Sequence, residues 1–179
     1  MANMEGSAKR RPMVTGMFRD RDSAERAYQA LPARGYSERD INLAMSDETR
    51  KRYFSDDVTT TELGNKAAKG AGVGGAVGAT AGAIAAAIAA VGTSLVVPGL
   101  GLVIAGPAVA ALAGAGAGGV TGGILGALVG WAIPEERVKH YESGIKEGGI
   151  VMGVTPRSDE DAEFIEREWK ANRGEHVYR

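Results

Sequence analysis

GAGVGGAVGATAGAIAAAIAAVGTSLVVPGLGLVIAGPAVAALAGAGAGGVTGGILGALVGWAIP, residues 70–134, decides how this chain is read. These 65 residues contain no Asp, Glu, Lys, Arg or His. Two ladders of glycine with a period of four run through them: Gly70, Gly74, Gly78 and Gly82, then Gly114, Gly118, Gly122, Gly126 and Gly130. On an α-helix a period of four advances about 40° past a full turn, so each ladder traces one slowly winding groove. This is the small-xxx-small pattern that lets apolar helices meet backbone to backbone. The nine glycines are therefore the candidate residues for helix packing and oligomerisation.

The spacing predicts a glycine-zipper helical hairpin over residues 66–133, with helices over about 66–93 and 107–132. Each would be roughly 40 Å long at 1.5 Å per residue, enough for a bilayer core of ~30 Å. Val97-Pro98-Gly99-Leu100-Gly101-Leu102 is expected to break the helix and turn the chain, and Pro107 suits the first turn of the second helix. A second small-residue stripe beside each ladder (Ala67, Ala71, Gly75, Ala79, Ala83, Ala87; Ala111, Ala115, Gly119, Gly123, Ala127) leaves room for more than one neighbour, hence self-association. Trp131 at a helix end, and Lys66, Lys69, Arg137 and Lys139 flanking both ends, fit a hairpin anchored in a cytoplasmic membrane with its polar domain in the cytoplasm. Against this, Val73, Val77, Ile84, Ile88 and Val91 are the only sizeable apolar groups of the first helix. Gly and Ala add little drive for insertion compared with Leu or Ile. The alternative is a cytoplasmic soluble assembly (ring, shell or filament) that buries its hairpins in a common interior.

The flanks read as one small polar domain. Residues 1–12, with a basic trio but no apolar run behind it, form an expected disordered start and not a secretory signal. In residues 13–46, Met13–Phe18 is a strand, and Ala24, Ala27, Tyr28 and Leu31 stripe one helix face. Asp22 is the expected cap of that helix, with Glu25 completing a capping box. Ile41, Leu43 and Met45 alternate with Asn42 and Ala44 as a half-buried second strand. Residues 47–65 are a polar linker, with one helical turn near Glu48–Tyr53. In residues 134–179 a helix begins at Pro134-Glu135-Glu136 and ends at Gly148-Gly149. Ile150–Val154 is a third strand, Ser158 caps a last helix that stops at Gly174, and Glu175–Arg179 is a short edge strand. The order predicts an α+β fold: a ferredoxin-like split βαβ domain interrupted by the long apolar hairpin.

Composition narrows the chemistry. Residues 1–69 carry 13 Lys/Arg against 11 Asp/Glu, and residues 135–179 carry 8 against 11. Neither flank is a polybasic surface, so nucleic acid is not an expected partner. No cysteine means no disulfide, thiolate site or thiol catalysis. Two histidines, His140 and His176, do not make a metal site without further ligands. Asp159-Glu160-Asp161-Glu163 fills a first helical turn, where the dipole favours acids. Gly70-x-Gly72-x-x-Gly75 and Gly114-x-Gly116-x-x-Gly119 match a dinucleotide fingerprint in letters only. No strand is expected before them, and no acid follows about 20 residues on. No catalytic, cofactor-binding or metal residue is assigned, no pocket signature marks a small-molecule ligand, and the chain is read as a non-enzyme.

Five stretches carry a resemblance. They are Phe18 with Asp22-Ser23-Ala24-Glu25-Arg26-Ala27, Val97-Pro98-Gly99-Leu100-Gly101, Gly130-Trp131-Ala132-Ile133-Pro134-Glu135-Glu136-Arg137, Gly148-Gly149-Ile150-Val151-Met152, and the glycine-rich middle. In order over most of residues 13–156, they resemble bacterial general stress proteins, the heat-induced or low-temperature-induced group with a central glycine zipper. The resemblance implies stress-linked expression and membrane or assembly behaviour, and supplies no catalytic residues. Strand and helix order alone also resembles a small subunit of a larger respiratory membrane complex.

Overall fold

The computed structural model describes residues 11–54, 84, 88, 94–97, 101–107, 109, 123–131 and 133–179. Its elements run β1 (Val14–Phe18), α1 (Arg21–Gln29), β2 (Ile41–Ser46), α2 (Asp47–Phe54), β3 (Ser94–Val97), β4 (Leu102–Ala105), α3 (Gly123–Val129), α4 (Glu135–Lys146), β5 (Ile150–Val154), α5 (Asp159–Ala171) and β6 (Glu175–Tyr178). The fold is α+β. Its strands form one sheet in the order β3-β4-β2-β5-β1-β6, with every neighbouring pair antiparallel.

Both faces of this sheet are covered. Strand side chains alternate between faces, so Phe18, Leu43, Val103 and Met152 enter one core with Tyr28 and Leu31 from the α1 side and Ile165 and Trp169 of α5. Met17, Ala44, Ile104 and Val151 enter a second core under Leu128 of α3, Trp131, and Tyr141 and Ile145 of α4. Burial on both sides accounts for the near-continuous apolar runs of β4 and β5. It also corrects the half-buried expectation for β2, whose first five residues are all buried. Tight layers need a small residue at one point: a Cβ on Gly144 of α4 would overlap Met17 Sδ beneath it.

The uncharged stretch departs most from expectation. The bend read as a helix breaker is a β-hairpin: Ser94–Val97 pairs with Ala105–Leu102, and Leu102–Ala105 pairs in turn with Ser46–Leu43 of β2. Ile84, fully buried, and Ile88 belong to the core beneath α1, whereas Ile124, Ala127 and Leu128 belong to the opposite core. The backbone amide of Ile84 donates to Glu25 Oε2 at 3.2 Å.

These anchors correct the expectation of a membrane-spanning hairpin. Among the described residues no helix is long and apolar enough to cross a membrane. A spanning hairpin must also hold its tip a bilayer away, ~30 Å, from the domain that carries its ends, and this tip is hydrogen-bonded into the domain's own sheet. Trp131, expected at a lipid interface, is 3% exposed within the second core.

Smaller corrections have local causes. Helix α1 is capped by Asp20, not Asp22: its carboxylate accepts from the Ser23 amide at 2.8 Å and the Ser23 hydroxyl at 2.9 Å. Glu25 instead pairs with Arg21 at 3.8 Å and accepts from the Ile84 amide. Part of the expected linker is helix α2, initiated by Ser46 Oγ, which accepts from the Thr49 amide at 3.0 Å. Helix α5 is capped by Ser158 as expected, its hydroxyl accepting from the Asp161 amide at 3.1 Å.

Candidate functional site

The sheet ends on two unlike edges. At one end, among the described residues, β3 is held through β4, and β4 is fixed firmly to the domain. Four register pairs tie it to β2, and the Gly101 carbonyl at its start accepts from the Asp47 amide at 2.6 Å. At its end Gly106, at φ +106°, lies so close to β2 that a Cβ would overlap the Ile41 carbonyl oxygen. Only glycine serves there. Among the described residues no strand pairs with the outer side of β3. Peptide groups of a strand alternate in direction, so half of those in Ser94–Val97 point away from β4. The sequence around this edge carries no charge.

The other edge, β6, is charged and distorted. Glu175 and His176 are exposed, the register with β1 shifts between Thr15 and Met17, and Arg173 and His176 take φ values of +62° and +48°. Arg19 bridges Glu147 and Glu175, and Arg179 pairs with Glu166 at 2.7 Å and Glu163 at 3.3 Å. Charges and bulges of this kind prevent strand addition.

The residues considered for chemistry take structural parts. His140 and His176, 36 positions apart in sequence, stack with ring centroids 4.5 Å apart and planes 11° apart. Their nitrogen lone pairs lie in nearly parallel planes and do not meet at one ion. Asp159 accepts from Arg11 at 3.2 Å, and Asp161 accepts from the Tyr36 hydroxyl at 2.9 Å, so these two acids fasten α5 to neighbouring segments. Among the described residues no group of three or more His, Asp or Glu converges as a metal site.

Tyr141 bonds both Thr15 Oγ1 (2.8 Å) and the His176 carbonyl (2.7 Å). Since the carbonyl only accepts, the single phenol proton goes to it and Thr15 donates in return. Burial pushes the Tyr141 phenol up, so this bond to the β6 edge persists through neutral pH. An open groove of about 270 Å³ lies beside it, lined by Pro12, Met13, Thr15, Ile133, Pro134, Arg137 and Arg179. Arg137 rests on the Tyr178 ring at 4.5 Å. No nucleophile–base pair faces this groove.

Of the nine ladder glycines, Gly126 is half-buried in α3 and Gly130 is exposed just after it. Gly70, Gly74, Gly78, Gly82, Gly114, Gly118 and Gly122 lie outside the described residues. The β3 edge was open to sequence reading. Ser94-Leu95-Val96-Val97 and Leu102-Val103-Ile104-Ala105 flank a four-residue Pro-Gly-containing break, which is a hairpin signal in its own right. The neighbouring glycine periodicity masked it. Comparison of the chain with family models, curated proteins and solved structures finds no match.

Proposed function

We propose that this chain is a non-enzymatic structural protein that acts by associating with copies of itself, of the general-stress type its sequence resembles. One observation carries this reading. A stretch of 65 uncharged residues supplies the sheet with an uncharged terminal strand, in a chain whose other edge is charged. Uncharged edges with free peptide groups are templates for further strands. The domain that bears this edge is ferredoxin-like in our reading: β6-β1-β5-β2 has the order of two interleaved split βαβ halves, with α1 and α5 as the connecting helices and β3-β4 added beyond β2.

The association is in water and needs no lipid. Native mass by light scattering, with electron microscopy of protein purified without detergent, tests it. A defined multiple of the 18.5 kDa chain is expected. A monomer at every concentration would refute the proposal.

A further inference from the structure

We infer that the association interface is β3 itself, paired antiparallel with β3 of a second copy across a two-fold axis, so that two sheets continue as one. The inference rests on the self-association reading and names its contact.

The partner follows from the two edges. A strand that pairs with its own copy about a two-fold sets its residues against the same set of residues. Any charge it carried would be repeated on the opposing strand, where like charges destabilise pairing. Ser94–Val97 carries none, whereas β6 offers Glu175 to an incoming strand and interrupts the ladder with positive φ at His176. Pairing of β3 with a neighbour's β6 would be a head-to-tail contact that builds a ring or a filament, and the bulged, ion-paired β6 edge opposes it. The two-fold pair closes and leaves β6 on the two outer ends.

The hairpin is also rigid enough to present an edge. The β4 ladder to β2, the Gly101–Asp47 bond and the close Gly106 contact fix it before any partner arrives. Four residues of ladder bury less than the ~1,200–2,000 Å² of a standard interface, so the pairing is expected to depend on concentration.

Hydrogen exchange read residue by residue over Ser94–Val97, in the full chain at several concentrations, tests the inference alongside light scattering. Protection of all four amides is expected, rising and falling with the mass of the particle. Leu95→Pro and Val96→Pro add a second arm, because the amide of one faces β4 and that of the other faces outward. The outward variant should keep its fold and run at half the parent mass. If both variants unfold, the exchange measurement on the parent chain decides alone. Rapid exchange of the outward amides while light scattering shows an intact oligomer would overturn the β3 interface and leave self-association standing. A parent chain that is monomeric throughout would overturn both.

Discussion

Replacing Ile84 with alanine tests whether the first part of the uncharged stretch contributes to the core of the domain. Ile84 is fully buried in the layer beneath α1, and its amide is bound to Glu25. The substitution removes three carbon-sized groups at ~0.8 kcal/mol each, roughly 2.4 kcal/mol of transfer free energy. The cavity left beside rigid neighbours raises the loss into the ~2–5 kcal/mol range of buried Ile→Ala changes, while Ile84→Val should lose ~0.5–1.5 kcal/mol. Urea unfolding followed by circular dichroism reads both. With a slope of ~2 kcal/mol per molar, the alanine variant should unfold about 1–2.5 M earlier. Because the contact lies within one chain, this shift should be the same at low and high protein concentration. A loss under ~1 kcal/mol, or one that vanishes on dilution, would place Ile84 on an intermolecular surface and refute the assignment.

Three further outcomes are expected. Gly106→Ala forces a side chain into the left-handed region at φ +106° and against the Ile41 carbonyl. It should lose at least ~1–3 kcal/mol in the same assay and deprotect Leu102–Ala105 to hydrogen exchange. Asp20→Ala removes the cap of α1, at ~0.5–2 kcal/mol near neutral pH. Burial alone would raise the Asp20 carboxyl, but the Ser23 amide and hydroxyl, with Arg173 and Arg26, hold it below its usual value. Its contribution is thus complete above the unfolded-state value of ~3.9 and fades as pH falls through the lower folded value. Parent and variant stabilities should converge as pH falls well below the unfolded value. Tyr141→Phe strands the Thr15 hydroxyl and the His176 carbonyl; thermal unfolding should register ~1–3 kcal/mol.

The polar flanks were legible because each segment carries its own local instruction. The 3.6-residue stripe of α1, Ser158 at the head of α5 and the acid-rich start of α4 all specify helices without help from the rest of the chain. Asp20 was missed as a cap because Asp22 and Glu25 offered an equally good capping pattern two residues later. Only the burial of Glu25 against Ile84 separates the two. The uncharged stretch was legible in composition but not in placement. Its glycine period is a helical signal, and two helices joined by a Pro-Gly break are its simplest reading. What decides otherwise is non-local: β4 finds its partner in β2, nearly sixty residues earlier, and Ile84 finds its place under α1. The stacking of His140 on His176 is equally non-local, since it depends on β6 folding back along β1 beside α4.

The account turns on residues 94–105 being a β-hairpin stitched into the sheet, and backbone resonances of that segment test it most directly. Strand-type Cα and Cβ shifts are predicted for Ser94–Val97 and Leu102–Ala105, with cross-strand proton contacts from Ala44 to Ile104 and from Val96 to Val103. Helical shifts through Ser94–Val97, with no contact between Ile104 and β2, would contradict it.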